Sequence, residues 1–315
     1  MHIAELDRYG IPQRVIDCWR NRQGDTLLPV QQRAIRNGLL EPSGLYTNQK
    51  RGMIIAAPTS SGKSFCAELA TVKALVERKK VVLLFPLKSL AEEKYRVLSN
   101  LLAPLGISCL IATGDHSDSD AAFFRGDFQV VITIYEKFDL LLTARLESLA
   151  TIGLVVVDEL QMLATPGRGA VLERLLTRIK AFGRGPSLIG LSAVLAGGGL
   201  TRLGEWLDAV VVEETVRPVD LLVGVAAEKS IRFRSFNTGE ISNGPSPFTD
   251  SADGMLDGLI DLLKNAEGAT LVFLKSRQNT VDLAFRLAAA VNFAPAKDAL
   301  EQLRAEEPSF LVRSL

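Results

Sequence analysis

Ala56-Ala57-Pro58-Thr59-Ser60-Ser61-Gly62-Lys63-Ser64 is the stretch on which the reading of this chain turns. It follows the apolar run Met53-Ile54-Ile55 and precedes a helical-looking segment at 65–77. A strand, a tight turn of small residues and a helix make up the context of a phosphate-binding loop. Thr59, Ser60, Ser61 and Gly62 are small enough for backbone N–H groups to turn inward around a phosphate. The helix that follows presents its positive N-terminal end to the same anion. Lys63 would reach the β- and γ-phosphates, and the Ser64 hydroxyl would hold Mg²⁺. The pattern usually opens with glycine; Ala57 stands in that place.

A second constellation supports the first. Leu154-Val155-Val156-Val157 leads directly into Asp158-Glu159-Leu160-Gln161. Ligands of open parallel sheets bind at the carboxyl ends of strands, so Asp158 is expected on the edge that carries the loop. An aspartate there holds the Mg²⁺ that bridges the phosphates. The adjacent Glu159 is placed to polarise an attacking water. An Asp-Glu pair also serves as a helix cap; the upstream loop is what favours the metal reading.

Composition sets the frame. A chain of 315 residues is long enough for two domains with separate cores. Its 36 Lys and Arg balance 36 Asp and Glu, so no global basic field points to a nucleic-acid partner, although a groove can be basic on a neutral protein. The three cysteines, Cys18, Cys66 and Cys109, are scattered, which suggests a reducing compartment. His2 and His116 are the only histidines, and a zinc site is not expected. No apolar run reaches membrane-spanning length, and the N-terminus lacks signal-peptide character. A cytoplasmic protein with no membrane partner is expected.

Strands are expected at 81–85, 107–112, 130–134, 154–157 and 187–191. They alternate with helices at 90–102, capped by Ser89, at 137–149 and at 170–182. That rhythm implies right-handed βαβ units and a mostly parallel sheet with helices on both faces. Residues 1–50 read as polar and helical in patches, without a clear core. Beyond 213 the pattern changes. Arg217-Pro218 reads as a connector, 219–225 and 231–236 as antiparallel strands, and 237–251 as a mobile loop or hinge. A helix at 254–264, a strand at 270–274 and a helix at 277–291 restart the α/β rhythm. The expected division is 1–213 and 214–315. Asp115, Asp118 and Asp120 do not fit a calcium loop and read as a solvated turn.

On these residues the sequence resembles the superfamily 2 helicases of the DEAD/DEAH-box type, in their Ski-like branch of archaeal repair and RNA-surveillance helicases. Pro29 to Ile35 resembles the glutamine motif, which places Gln31 on the adenine base. Ala57 to Ser64 is similar to motif I, and Asp158 to Gln161 to motif II. Lys88 and Ser89 fall in a stretch similar to motif Ia; Thr133, Glu136 and Lys137 fall in one similar to motif Ib. Both motifs touch nucleic acid. Ser192-Ala193-Val194 occupies the place of motif III. Glu205-Trp206-Leu207 followed by Arg217-Pro218-Val219 resembles a passage typical of the Ski-like branch. Thr270 to Arg277, with Ser276 and Arg277 at its end, resembles motif IV of the second motor domain.

The resemblance implies a RecA-like P-loop NTPase domain followed by part of a second RecA-like domain. It implies an ATP- and Mg²⁺-dependent helicase or translocase moving 3′-to-5′ on single-stranded DNA or RNA. Two departures bear on coupling: Gln161 stands where the family usually has His, and Val194 where it usually has Thr. With Ser192, those positions link the ATP site to the second domain. Motifs V and VI do not occur, so the chain reads as a fragment ending inside the second domain. The competing readings are a nucleotide-gated nucleic-acid-binding scaffold with uncoupled ATPase and a double-strand translocase that does not unwind.

Overall fold

The computed structural model describes residues 1–41, 50–114, 118–183, 185–193, 199–226, 230–245, 258–260, 262–263 and 269–290. The chain divides into two compact units, Met1–Asp220 and Leu221–Leu315.

The first unit is built on seven strands. They are β1 (Gly52–Ala56), β2 (Lys80–Phe85), β3 (Cys109–Ala112), β4 (Val130–Ile134), β5 (Ile152–Val157), β6 (Ser187–Ser192) and β7 (Ala209–Glu213). Their order across the sheet is β3-β4-β2-β5-β6-β1-β7. Every pairing among them is parallel, as the alternation of strands and helices leads one to expect. The continuous apolar runs follow from burial on both faces. Met53 and Ile55 of β1 enter one core with Val81, Leu83 and Phe85 of β2. Ile54 and Ala56 enter the opposite core with Val82 and Leu84.

Among the described residues, eight α-helices cover the sheet: α1 (Gln13–Gln23), α2 (Pro29–Arg36), α3 (Lys63–Val76), α4 (Lys88–Leu102), α5 (Asp118–Arg125), α6 (Tyr135–Ala144), α7 (Arg168–Ala181) and α8 (Gly199–Trp206). Val15 of α1, Ala34 of α2, Leu69 of α3 and Leu98 of α4 join the first core. Phe123 of α5, Phe138 of α6, Leu172 of α7 and Leu200 of α8 join the second. Helices one to four thus lie on one face and five to eight on the other.

Two expectations for this unit are overturned. Residues 1–50 were expected to lack a core, yet Ile3, Leu6, Ile16 and Trp19 are fully buried. The Trp19 ring meets Phe65 of α3 edge-on, with centroids 5.0 Å apart, and its Nε1 donates to Glu68 at 3.3 Å. The N-terminal segment is therefore the cover of α3. Ser89 does not cap the helix at 90–102: α4 starts at Lys88, Leu87 occupies the cap position, and no side chain caps it. The preceding backbone turns early enough that Ser89 is already helical and exposed.

The second unit contains an antiparallel sheet of β8 (Leu222–Ala226), β9 (Ser230–Ser235) and β10 (Ile241–Pro245), in the order β10-β9-β8. Strand β10 falls in the segment expected as a loop. The turn-forming residues Asn237 to Gly239 are used up in the bend, and Ile241 onward pairs with β9 from Arg234 back to Ser230. The strand expected at 270–274 is not formed, and Leu271 and Phe273 stand 77% and 84% exposed. A strand needs a neighbour for its backbone hydrogen bonds, and none of the described strands lies beside it. Residues 258–260 and 262–263 are helical, within the helix expected there, and α9 (Arg277–Ala290) closes the described chain.

Candidate nucleotide site

The sheet order decides where the chemistry collects. Strands β5, β6 and β1 are consecutive neighbours and parallel, so their carboxyl ends open onto one edge. The loops that leave them carry Asp158-Glu159, Ser192-Ala193 and the stretch ending in Lys63-Ser64.

The loop after β1 has the shape its residues call for. Ser60 and Gly62 both take positive φ, 66° and 88°. Gly62 also takes the cap position of α3, so the first N–H groups of that helix point into the turn. A Cβ at Gly62 would stand 2.3 Å from Gln31 Nε2 and 2.8 Å from Leu28 Cδ1, so any side chain here would have to displace these two. The Ser61 hydroxyl donates to the Pro58 carbonyl at 2.6 Å, and Lys63 Nζ donates to the same carbonyl at 3.1 Å. Thr59 Oγ1 accepts from Arg217 Nη1 at 2.9 Å. Gln31 is buried against the turn. Its Oε1 accepts the Leu28 N–H at 2.8 Å, and its Nε2 donates to the Gly62 carbonyl at 3.2 Å. The primary amide still has one N–H and one lone pair to offer.

At the end of β5, Asp158 Oδ1 accepts the Glu159 N–H at 3.0 Å. The Asp158 carbonyl accepts the Tyr135 hydroxyl. Glu159 has φ 52°, a left-handed residue at the point where strand becomes turn. Gln161 Nε2 donates to Glu159 Oε2. Its Oε1 accepts from the Ser192 hydroxyl at 2.9 Å and from the Ala193 N–H at 3.2 Å. Close approach makes this possible: β6 carries Gly190, where a Cβ would stand 2.5 Å from Leu160 Cδ2. Gln161 and Ser192, expected to act together, are brought into contact. Val194 lies outside the described residues.

Electrostatics follow from this crowding. Burial, then the neighbouring Glu159, raises the pKa of Asp158. Burial lowers that of Lys63, opposed by Glu159 and Asp158. Burial also pushes the Tyr135 phenol well up, so it remains a neutral donor. Ser64 and Asp158 line one narrow cavity between α3 and the sheet. A hydroxyl and a carboxylate are hard oxygen donors, which suits Mg²⁺. Among the described residues no group of three or more His, Cys, Asp or Glu could hold a metal by itself.

The residues expected at nucleic acid are dispersed. Lys88 and Ser89 are exposed at the start of α4. Thr133 is fully buried, and its hydroxyl donates to the Ala112 carbonyl. Glu136 accepts from Arg168 Nε at 2.8 Å, and Arg168 also donates to the Pro86 carbonyl. Lys137 Nζ donates to Asp120 Oδ2 at 2.7 Å. In the second unit, the Ser276 hydroxyl accepts the Asn279 N–H at 3.1 Å, and Arg277 is exposed. Reading the sequence alone missed Tyr135, Arg168 and the contact of Arg217 with the loop. The first and last sit inside stretches singled out for other reasons, and only the topology brings them to the site.

A parallel sheet with this loop, this Asp-Glu pair and this bridging glutamine on adjacent strand ends defines a RecA-like P-loop NTPase domain. The family of DEAD/DEAH box helicases matches residues 28–202, more than half of the chain, and the chain belongs to that family. It is 32% identical over 299 residues to ATP-dependent DNA helicase Hel308 of Caldivirga maquilingensis, covering 94% of this chain and 36% of that protein. To Hel308 of Pyrobaculum calidifontis it is 34% identical over 297 residues, covering 93% and 38%. The chain thus spans well under half the length of these relatives. The crystal structure of DUF1998 helicase MrfA bound to DNA and AMPPNP shares the fold, with TM-score 0.65 and 22% identity over 89% of this chain and 38% of that one. No helix among the described residues is long and apolar enough to cross a membrane.

Proposed function

We propose that this chain is the ATP-binding part of an ATP-dependent DNA helicase or translocase, moving 3′-to-5′ on single-stranded DNA. The observation that carries the reading is the side-chain relay from Ser192 through Gln161 to Glu159, set on the same sheet edge as Lys63. Such a relay ties the carboxylate that would orient water to the strand end beside it.

In this reading the loop N–H groups and Lys63 bind the phosphates. Gln31 uses its remaining N–H and lone pair on adenine. Ser64 and Asp158 hold Mg²⁺, which neutralises phosphate charge when bound. Glu159 accepts a hydrogen bond from the attacking water and orients it. The exposed Lys88 and Ser89 are the first unit's proposed phosphate contacts, with Ser276 and Arg277 contributing from the second. Thr133, Glu136 and Lys137 support that surface through Ala112, Arg168 and Asp120. DNA is favoured over RNA because the relatives are named DNA helicases; the direction of travel rests on the resemblance to the Ski-like branch.

The test is steady-state ATP hydrolysis by the full-length protein with single-stranded DNA, single-stranded RNA and duplex DNA. Stimulation by single-stranded DNA, with displacement of a strand from a 3′-tailed but not a 5′-tailed duplex, is the expected result. Stimulation by duplex DNA alone would favour the translocase that does not unwind. Nucleotide binding with no hydrolysis under any condition would favour the scaffold.

A further inference from the structure

After β7 the chain turns back across the phosphate loop. The Glu214 N–H donates to the Ala56 carbonyl at 2.9 Å, at the end of β1. Arg33 of α2 donates to the Glu213 carbonyl at 2.6 Å and pairs with the Glu214 carboxylate at 3.4 Å. Glu214 Oε1 also accepts the N–H groups of Thr215 and Val216, at 3.1 and 3.2 Å. These bonds fold 213–216 into a strap held on one side by β1 and on the other by α2. Its next residue, Arg217, donates to Thr59 Oγ1 at 2.9 Å. Lys63 Nζ meanwhile donates to the carbonyl of Pro58, the preceding residue, at 3.1 Å.

Two cations therefore converge on consecutive residues of one small-residue turn. Like charges brought together at a half-buried site are unfavourable by themselves. A bound polyanion reverses the sign of that arrangement. Guanidinium groups match phosphate oxygens in a planar, two-pronged geometry that an ammonium lacks. Lys63 is the group read as reaching the outer phosphates, and Arg217 bonds the residue next to the one whose carbonyl Lys63 holds.

We propose that Arg217 is a second phosphate-binding cation of this site, supplied by the strap rather than by the loop, and that it favours nucleoside triphosphate over diphosphate. The proposal rests on the reading of the loop as a nucleotide site.

The experiment measures equilibrium binding of ATP–Mg²⁺ and ADP–Mg²⁺ to the wild type, Arg217→Ala and Arg217→Lys, with a thermal melt of each protein without nucleotide. Arg217→Ala is expected to weaken ATP binding about tenfold, the worth of one charge-assisted hydrogen bond, with little change for ADP. Arg217→Lys is expected to recover part of the loss, and the melting temperature without nucleotide is expected to stay near wild type. An equal loss for both nucleotides, or a loss that tracks a lowered melting temperature while Arg217→Lys behaves like Arg217→Ala, would make Arg217 a support of the turn and overturn the proposal. Unchanged discrimination in Arg217→Ala overturns it too, while leaving the nucleotide site intact. Failure of the wild type to bind either nucleotide overturns the reading of the site itself.

Discussion

Replacing Gly62 with alanine tests the loop geometry through two independent quantities. Gly62 sits at φ 88° and ψ 20°, where a Cβ crowds the backbone. Holding a non-glycine residue there costs roughly 1–2 kcal/mol. The new Cβ would also lie 2.3 Å from Gln31 Nε2, so the amide must swing away. That movement gives up the 3.2 Å bond to the Gly62 carbonyl, worth about 0.5–1.5 kcal/mol, and disturbs a buried amide. Together these give a destabilisation of roughly 1.5–3.5 kcal/mol. For a unit of this size each kcal/mol lowers Tm by about 2–4 °C, so a fall on the order of 3–14 °C is expected. Because the displaced side chain is Gln31, the same change should weaken ATP binding and erode preference for ATP over GTP. Differential scanning calorimetry and nucleotide titration read the two effects. A Tm within about 2 °C of wild type together with unchanged ATP affinity would refute the argument, since neither the left-handed turn nor its contact with Gln31 could then be as described.

Other perturbations separate the remaining roles. Lys63→Ala should remove most nucleotide affinity, whereas Glu159→Gln should bind ATP normally and lose turnover by about two orders of magnitude or more; titration and steady-state hydrolysis of both variants check this, and wild-type turnover by Glu159→Gln would end the assignment. Gln31→Ala should narrow the ATP-over-GTP preference; equal affinity of the wild type for both would remove Gln31 from the base. Trp19→Ala should destabilise the first unit by roughly 3–5 kcal/mol, because a fully buried indole packed on Phe65 is lost. Urea unfolding followed by circular dichroism measures it, and a loss below about 1 kcal/mol would mean that the N-terminal segment is not part of the core.

What could be read from the sequence was what is local. The phosphate loop and Asp158-Glu159 are contiguous, and each follows an apolar run that is a buried strand, so residue types and order carry the whole signal. The N-terminal core is different in kind. Its apolar residues belong to a 3₁₀ segment at Ile3–Tyr9 and to two short helices, so no single periodicity runs through Ile3, Leu6, Ile16 and Trp19. Strand β10 was hidden because glycine, asparagine and proline signal turns, and here only those in the bend are used that way. Thr133 reads as a polar residue available to a ligand. It is instead satisfied by Ala112 on β3, a neighbour set by the sheet order. Arg217 lies far in sequence from Thr59, and only the placement of β7 beside β1 brings the strap back to the loop.

Glutamine in place of histidine at the end of the Asp-Glu motif is the departure with most bearing on mechanism. One amide supplies both halves of the link. Its NH₂ faces the Glu159 carboxylate, and its carbonyl receives Ser192 and Ala193. A neutral imidazole can also donate on one side and accept on the other, but once protonated both nitrogens donate and the acceptor is lost. The amide has no such second state across the physiological range. With Gln161, the group that joins Glu159 to the end of β6 itself takes up no proton across the physiological range. Leu160, lodged over Gly190, holds the turn against β6, so the amide keeps its place when its partners move. Gln161 thus joins Glu159 to Ser192 and Ala193 through a group that does not titrate.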